Sequence, residues 1–287
     1  MVKYVYPILP SIYTTPFIRY AGSGLANSLF VFARAWLIAK QNVLELINPT
    51  WLNFDPVQWK LWSKDKRTYY NIFHDVGKRG LSKLWLLTTG KKITEDDFFF
   101  NKSIQGDILI VRNMVGFEPL RGYSSEFREA LYDICKNKII QPLSSFDFSK
   151  SIALHVRLGD YGNRSLPINY YKRIVQQIHL NLPQYKFLLF SDGSDTQLQE
   201  LTSLTYVNRV YFGSSLSDML AISCCEALIG SHSTFTDWGG YFLQKATILP
   251  ETPHYGSFLE DPTNEFIVGK EIIVPSMFYD KVLRDDE

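Results

Sequence analysis

Short apolar runs and helical stripes alternate along the second half of this 287-residue chain. The runs are continuous, which is typical of strands buried on both faces of a parallel sheet. Strands are predicted at residues 152–154, 186–192, 209–212, 227–230 and 247–249. Helices are predicted between them at residues 169–182, 195–203, 216–225 and 235–245. This alternation predicts an α/β domain with helices on both faces of its sheet.

The first half of the chain is patterned less regularly. Leu25, Leu29 and Phe32 begin an apolar stripe at helical spacing that continues to about residue 40. Short strands are predicted at residues 17–20 and 108–111.

A second helix is predicted at residues 124–137, with Ser124 as its N-cap. Residues 141–150 have the composition of a linker. We therefore predict one domain at residues 1–145 and a second at residues 146–287.

The bulk composition is that of an ordinary globular protein. Apolar residues make up 46% of the chain and the formal net charge is +1, so there is no polycationic character that would favour nucleic acid. Three cysteines are too few for a disulfide framework, which favours a reducing compartment. No apolar run approaches the roughly 20 residues that span a bilayer, and the N-terminus lacks the pattern of a signal peptide. We expect a cytoplasmic protein.

Three predicted strands of the second half end on polar residues, at 155–160, 191–195 and 230–235. The carboxyl ends of parallel strands lie on one edge of a sheet, where open α/β sheets bind their ligands. Arg157 offers a planar cation that matches phosphate oxygens. The segment GSHSTF offers hydroxyl and backbone N–H groups before a helix, from Gly230, Ser231, Ser233 and Thr234. Together they predict a diphosphate site, although serine and threonine at this position are also ordinary N-caps.

A glycine turn at residues 22–24 precedes the first helix. Such a turn lets a ligand approach the helix N-terminus, so Gly24 and Asn27 are candidate ligand contacts. A purely structural turn explains the same residues. The spacing is an incomplete dinucleotide fingerprint, because Asn27 stands where glycine or alanine is needed and the ribose-binding acid is missing. This disfavours a nicotinamide-dependent oxidoreductase.

Tryptophans and basic residues are interleaved at residues 51–92. This pattern fits a variable subdomain with solvated lysines, a sugar acceptor surface, or peripheral contact with an anionic membrane through residues 59–92. The sequence leaves the three interpretations open.

Four segments resemble the α-1,2/α-1,6/O-fucosyltransferase superfamily, and in particular the α-1,2-fucosyltransferases. HVRLGDY resembles the HxRRxDY segment of these enzymes, and SGLANSLFVFARA resembles their GLGNQMFQYA segment. FSDGSD is similar to FSDD, and the segment ending in GSHSTFTDWGGYF resembles the one ending in NSSFSWWAAYL. The four matches follow the order of the family and extend over most of the chain.

The resemblance implies a GT-B glycosyltransferase with two Rossmann-like domains facing across a cleft. It implies an inverting, metal-independent enzyme that transfers fucose or a related deoxy-sugar from a GDP-sugar to a glycan hydroxyl, with an α-1,2 linkage. The acceptor would be an oligosaccharide, with a lipid-linked form as one option. The donor would lie on the C-terminal domain and the acceptor on the N-terminal domain.

The same resemblance assigns roles to residues of the second domain. Arg157 would bind the β-phosphate, and Ser233 and Thr234 would cap the phosphates. Asp218 would bind the guanine edge, because a carboxylate accepts both N1–H and the exocyclic amine; as an alternative it is a simple helix N-terminal acid. The other donor contacts are implied for His155, Asp192, Ser231, Gly24 and Asn27. His155 can equally be a satisfied core residue.

The chain departs from the family at one informative position. Leu158 replaces the second arginine of HxRRxD, so either the donor differs from GDP-fucose or one arginine suffices. The general base is predicted as Asp160, whose alternative role is to orient Arg157, with Glu118 as the second candidate. We expect no metal requirement, since the sequence has no histidine cluster with ligand spacing. The rival from another class is a non-catalytic carbohydrate-binding protein.

Overall fold

The computed structural model describes residues 2–56, 67–101, 105–159, 162, 165–251, 253 and 255–284. The chain divides into two compact units, unit 1 at residues 1–137 and unit 2 at residues 138–287. The sequence placed the boundary eight residues later, within the segment predicted to be a linker.

Unit 1 is built on a small parallel sheet. Its strands are β1 (Tyr4–Pro7), β2 (Tyr13–Thr14), β3 (Arg19–Tyr20), β4 (Glu45–Leu46), β5 (Asn53–Phe54), β6 (Lys92–Ile93) and β7 (Ile108–Val111). Its helices are α1 (Leu25–Asn42), α2 (Gly80–Thr89), α3 (Glu95–Phe100) and α4 (Ser124–Ile134). The main sheet has the order β4-β1-β7-β6 with all pairs parallel, and β2, β3 and β5 form a separate small sheet.

Unit 2 contains the regular alternation that the sequence predicted. Its strands are β8 (Ser151–Val156), β9 (Lys186–Ser191), β10 (Val207–Arg209), β11 (Ala227–Ile229), β12 (Thr247–Leu249) and β13 (Glu265–Ile267). Its helices are α5 (Asn137–Ser144), which begins at the boundary, α6 (Ile168–Asn181), α7 (Asp195–Thr202), α8 (Ser215–Ile222), α9 (Thr234–Leu243) and α10 (Ser276–Arg284). The sheet is parallel throughout, with the order β10-β9-β8-β11-β12-β13.

Burial explains why β8 forms the centre of this sheet. All six residues of β8 are buried, and Ile152, Leu154 and Val156 are fully enclosed in the core. A strand that is apolar on both faces is stable only between two layers of helices. The polar residues that follow β8 therefore emerge at the carboxyl edge of a fixed scaffold.

Two local predictions are wrong. Residues 141–144 of the predicted linker belong to helix α5, because Ile139 and Leu143 are spaced to bury one helical face despite Pro142. Ser124 is the first residue of α4, whose N-cap is Tyr123. Ser124 is buried in the first turn of α4.

Candidate donor site at the strand tips of unit 2

The three polar strand ends meet at one edge of the sheet. β8 pairs with β9 on one side and with β11 on the other, and all three strands run in the same direction. Within the pairing, His155 lies beside Phe190, and Leu154 lies beside both Leu189 and Ile229. The segments that follow these strands are consequently neighbours, as the strand pattern predicted.

Arg157 and Asp192 form an ion pair across two of these strand ends. Arg157 Nη1 lies 2.8 Å from Asp192 Oδ2, and both side chains are about one-third exposed, at 29% and 32%. The other oxygen, Asp192 Oδ1, accepts the backbone N–H groups of Leu158 at 2.9 Å and Gly159 at 3.1 Å. Both oxygens of Asp192 thus act on the loop after β8, so this carboxylate orients Arg157.

Gly159 is required by this arrangement. A Cβ atom at residue 159 would lie 2.3 Å from Asp192 Oδ2, closer than any real carbon-oxygen contact. The glycine therefore lets the carboxylate approach the backbone of the loop. The close approach of Asp192 therefore explains why a glycine follows Leu158 in the segment HVRLGD.

Leu158, the departure from the family pattern, packs as an apolar residue. It is partly buried against the unit 2 core, and its Cδ1 lies 2.5 Å from the position that a Cβ on Gly193 would take. An arginine at residue 158 would lose this apolar packing. The site therefore has one arginine at the tip of β8, on a loop whose second residue faces the core.

The loop after β9 is fixed by its own polar contacts. Arg209 forms an ion pair with Asp195 and donates to the carbonyl of Gly193 at 2.7 Å. Ser194 caps α7 through a capping box with Gln197. A loop held at both ends keeps Asp192 in place before any ligand binds.

His155 connects β8 to the loop after β11. Its Nδ1 lies 2.7 Å from Thr236 Oγ1 and 3.1 Å from Ser231 Oγ, and its ring packs against Phe235 with centroids 4.7 Å apart. Thr236 Oγ1 also accepts the backbone N–H of Ser231 at 3.0 Å. This buried network sets the shape of the segment GSHSTF.

Burial lowers the pKa of the His155 imidazole to about 3, and the neighbouring Arg157 cation acts in the same direction. The ring is therefore neutral at physiological pH. His155 is 5% exposed and Ser231 is 4% exposed, so both lie beneath the surface of the site. The structure gives them a supporting role, and direct contact with a donor stays a prediction for both.

Ser233 and Thr234 stand at the N-terminus of α9. Ser233 is the N-cap, and its Oγ accepts the backbone N–H of Phe235 at 3.2 Å. Both residues are half-buried, so a ligand can reach this helix end. The positive end of the helix dipole and Arg157 on the adjacent strand favour an anion at this edge.

Asp218 lies in the first turn of α8, close to the end of β10. Its Oδ1 accepts the backbone N–H of Phe212 at 2.7 Å, and the side chain is half-buried. Burial raises the pKa of the Asp218 carboxyl to about 7. The Phe212 ring stacks on Phe148 with centroids 5.6 Å apart, which places an apolar cluster beside this acid. An acid with this pKa switches between donor and acceptor of hydrogen bonds near neutral pH.

The remaining predicted residues belong to unit 1 or fall outside the described part of the chain. Gly24 is the N-cap of α1, and Asn27 is half-buried in the first turn of that helix. Glu118 is exposed and begins a short 3-10 turn at Glu118–Leu120. Asp160, predicted as the base, lies outside the described residues. These three described residues belong to unit 1, and their roles stay predictions.

Two residues of the site were missed from the sequence. Thr236 is buried and hydrogen-bonded to both His155 and Ser231. Its position as the third residue of the helix that Ser233 caps was an available signal. Asp237, next to it, is 6% exposed, and its burial beside Glu265 raises its pKa to about 8. Asp237 stands where the family segment quoted above has tryptophan, so a direct comparison of the motifs would have revealed it.

Comparisons with known proteins agree with this picture of unit 2. Residues 123–258 match the family model described as glycosyl transferase family 11. That segment contains all three strand ends, Asp218 and the N-terminus of α9. No curated protein sequence matches the chain.

Solved structures of fucosyltransferases share the fold over most of the chain. The NodZ α-1,6-fucosyltransferase co-crystallised with GDP is 14% identical, with a TM-score of 0.56 over 88% of this chain and 96% of that one. The fucosyltransferase NodZ from Bradyrhizobium gives 15% identity, a TM-score of 0.54, and coverage of 88% and 97%. A mutant of Arabidopsis thaliana FUT1 in complex with GDP gives 12% identity, a TM-score of 0.56, and coverage of 90% and 72%.

The likeness to these structures confirms the predicted α/β, GT-B fold. Together with the family match over residues 123–258, it supports the predicted resemblance to fucosyltransferase-like glycosyltransferases. Both findings favour a glycosyltransferase over the oxidoreductase and the non-catalytic carbohydrate-binding protein, the alternatives from other classes.

Proposed function

We propose that this protein transfers fucose or a related deoxy-sugar from a GDP-sugar to a saccharide hydroxyl, with inversion at the anomeric carbon and without a metal ion. The observation that carries the proposal is the Arg157–Asp192 pair beside the N-terminus of α9. An oriented guanidinium and a helix N-terminus are the groups that a departing diphosphate needs. The structures of NodZ and FUT1 that share the fold were determined with GDP, which supports a guanine nucleotide here.

In the proposed reaction, an acceptor hydroxyl oxygen attacks the anomeric carbon of the donor. The bond between that carbon and the β-phosphate oxygen breaks, and GDP leaves with the bonding electron pair. Arg157 would stabilise the developing charge on the β-phosphate, with Ser233 and Thr234 capping the phosphates. Preorganised charge of this kind is usually the largest single contribution to catalysis.

The hydroxyl proton passes to a carboxylate, for which the candidates are still Asp160 and Glu118. Glu118 is exposed, so a carboxylate there is accessible to an acceptor. Asp160 follows the loop that Asp192 holds, which suits either a base or a partner of Arg157.

Asp218 would bind the guanine base through hydrogen bonds. Its Oδ1 already accepts one backbone N–H, and within the described residues its Oδ2 has no hydrogen-bond partner. A carboxylate with one oxygen engaged keeps acceptor capacity for the N1–H and N2–H donors of guanine. A different nucleotide-sugar is the alternative, and the substitution at Leu158 is compatible with it as well as with a site in which one arginine suffices.

For the acceptor, we propose a class of molecule and not an individual compound. A glycan, in free or lipid-linked form, and an α-1,2 linkage follow from the family resemblance. Among the described residues, no helix is both long and apolar enough to cross a bilayer. Trp85 and Leu81 on α2 are exposed, at 64% and 82%, and are the described residues that suit peripheral membrane contact through residues 59–92. Residues 57–66 lie outside the described part.

The test is mass spectrometry of products from a panel of GDP-sugars and UDP-sugars, with a mixture of oligosaccharide acceptors and an excess of EDTA. We expect transfer of a deoxyhexose from the GDP-linked donor, undiminished by the chelator. Transfer from UDP-sugars alone, or activity that EDTA abolishes and Mg²⁺ or Mn²⁺ restores, would contradict the proposal.

A further inference from the structure

The small sheet of unit 1 carries a row of aromatic side chains. Its strand order is β2-β3-β5, and the pairing sets Tyr13 beside Tyr20 and Tyr20 beside Phe54. Directly paired residues lie on the same side of a sheet, so the three rings form one row across the strands. The ring centroids of Tyr13 and Tyr20 are 6.1 Å apart, and those of Tyr20 and Phe54 are 6.2 Å apart. We call this row the aromatic face.

The aromatic face is the outer side of the small sheet. Tyr13, Tyr20 and Phe54 are 62%, 39% and 44% exposed. Their neighbours Arg19 on β3 and Asn53 on β5 point to the other side and are 0% and 2% exposed. A sheet with one buried side normally shows polar residues on the other. Three exposed rings in a row are therefore typical of a binding surface.

The chain connections attach the small sheet to the edge of unit 1 where ligands are expected. β2 and β3 follow the carboxyl end of β1, and β5 follows the carboxyl end of β4. β1 and β4 are parallel neighbours in the main sheet. Open α/β sheets bind their ligands beyond the carboxyl ends of their strands. The aromatic face thus belongs to segments that extend from this edge.

The segments that form the aromatic face are neutral at their surface. Within residues 8–33 the one charged side chain is Arg19, which is buried, and residues 49–54 contain none. Phosphate groups and anionic lipid headgroups are bound by cations, which these segments do not expose. The chemistry of the face therefore favours an uncharged ligand.

The two tyrosines add hydrogen-bonding capacity to the rings. Within the described part of the chain, the hydroxyl groups of Tyr13 and Tyr20 have no hydrogen-bond partner. Each hydroxyl can donate one hydrogen bond and accept others. A sugar ring matches this combination, because its C–H groups form an apolar face that packs on an aromatic ring while its hydroxyls surround that face. An aliphatic lipid chain has no use for the two hydroxyls.

The hairpin between β2 and β3 is held in shape by its own contacts. The backbone N–H of Thr15 donates to the carbonyl of Ile18 at 2.9 Å, and Thr15 Oγ1 accepts the backbone N–H of Ile18 at 2.9 Å. On the buried side, Arg19 donates to the carbonyl of Pro10 at 3.3 Å. Rings that are positioned in advance lose less conformational entropy when a ligand binds.

We infer that the aromatic face binds a neutral glycan by stacking sugar rings on Tyr13, Tyr20 and Phe54. The row crosses two strand spacings, about 10 Å, so it has room for two linked sugar rings. That the glycan is the acceptor of the transfer rests on the proposed function. The binding of sugar rings rests on the pairing, exposure and charge of these segments alone.

Tyr13 and Tyr20 each offer a matched pair of variants for the test. Replacement by phenylalanine keeps the ring and removes the hydroxyl, whereas replacement by leucine keeps apolar bulk and removes the ring. A lipid surface accepts leucine in place of an aromatic residue, but a sugar ring needs the flat partner. Phe100→Leu is the control, because Phe100 ends α3 outside the small sheet and is 84% exposed.

The experiment measures binding of the labelled full chain to a panel of immobilised neutral, sialylated and sulfated oligosaccharides, without donor, at low and high salt. We expect the wild type and Phe100→Leu to bind neutral oligosaccharides equally, with an affinity that salt does not change. Tyr13→Leu and Tyr20→Leu should bind about tenfold more weakly, since each loses one stacking ring. Tyr13→Phe and Tyr20→Phe should stay within about threefold of the wild type. Circular dichroism checks the fold of each variant.

Three results would overturn the inference. The first is a wild type that binds no oligosaccharide of the panel, and the second is equal binding by the wild type and both leucine variants. The third is binding to phosphatidylcholine vesicles that the leucine variants retain and that replaces binding to sugars, which would assign the face to a lipid surface.

Kinetics with the acceptor from the transfer assay tests its identity with the bound glycan. Tyr13→Leu and Tyr20→Leu should raise the acceptor KM about tenfold while the affinity for GDP stays unchanged. An unchanged acceptor KM would show that the bound glycan is not the acceptor. Sugar binding by a wild type that transfers nothing would contradict the proposed function and leave glycan binding intact, so the two failures are distinguishable.

Discussion

Two arginines, one in each unit, show how differently a protein can use the same cation. Arg157 is about one-third exposed and is held by Asp192, with a protein acid as its partner at the carboxyl edge of the sheet. Arg19 is fully enclosed and has only neutral hydrogen-bond partners among the described residues. A paired, accessible guanidinium can contact a ligand directly, whereas an enclosed one interacts only with the groups of its own unit.

The difference has a consequence for stability. The Arg157–Asp192 pair is exposed enough that water screens both charges, so it costs the fold little. Unit 1 instead encloses Arg19 and a second cation, Lys83, which is 3% exposed and donates to Thr50 Oγ1 at 2.9 Å. Burial of these two basic side chains therefore lowers the folding stability of unit 1, whereas the exposed Arg157–Asp192 pair costs unit 2 little.

Removing the accessible arginine should have the largest effect. We expect Arg157→Ala to reduce kcat/KM by about 10²- to 10³-fold, because the charge on the leaving diphosphate loses its main partner. Arg157→Lys should recover part of the loss, since a lysine keeps the charge without the planar geometry. Steady-state kinetics measures this, with the exposed Arg173→Ala on α6 as control and circular dichroism as a check of the fold. Turnover by Arg157→Ala close to the wild-type rate would contradict the donor-site assignment.

Replacing the second buried cation of unit 1 should change stability rather than catalysis. Burial lowers the pKa of Lys83 from 10.5 to about 7, so between pH 8 and 10 the unfolded chain binds about one proton more than the folded one. Lys83 by itself should therefore add about 1.4 kcal/mol per pH unit to the free energy of unfolding through this range. The free energy of unfolding of Lys83→Met should lack this contribution.

Urea denaturation at pH 8, 9 and 10 tests this difference between wild type and Lys83→Met. The exposed Lys92→Met in β6 is the matched control and should follow the wild type. Asp218 and Asp237 have raised pKa values of about 7 and 8, so they change stability mainly below this range. Parallel pH profiles for wild type and Lys83→Met would show that burial does not lower the pKa of Lys83.

The buried acid of unit 2 should give a smaller effect, on nucleotide selectivity. Because the pKa of Asp218 is about 7, its carboxylate is lost as the pH falls to 6, and with it the acceptor for guanine N1–H. We expect GDP affinity to fall about tenfold more than UDP affinity between pH 8 and pH 6, since one charged hydrogen-bonding partner is lost. Asp218→Asn should weaken GDP binding and remove this pH dependence. Equal pH dependence for GDP and UDP in the wild type would refute the guanine assignment.

The sequence predicted unit 2 well because its elements are short, regular and strongly apolar. Residues 247–249 and the start of β9 agree with the structure, and α9 begins one residue before its prediction. β10 ends at Arg209 although residues up to 212 were predicted as a strand. The reason is tertiary, since the backbone N–H of Phe212 is bonded to Asp218 and its ring packs among other aromatic rings.

Unit 1 was predicted less completely because its features depend on contacts far apart in the chain. β1, a central strand of its sheet, was missed, since its four residues include tyrosines and a proline that read as irregular chain. The burial of Arg19 among neutral groups could not be predicted from the sequence. Its hydrogen-bond partners belong to residues 10, 28 and 67, which are not its neighbours along the chain. The Arg157 site was visible because each of its parts follows a strand directly.

The central claim is that the strand ends of unit 2 bind a nucleoside diphosphate through protein groups, chiefly Arg157. Calorimetric titration of GDP into the wild type and into Arg157→Ala, both in EDTA, tests it most directly. The claim predicts that the wild type binds GDP without a divalent metal ion and that Arg157→Ala binds it at least about tenfold more weakly. GDP binding that requires a metal ion, or equal affinity in the two proteins, would contradict it.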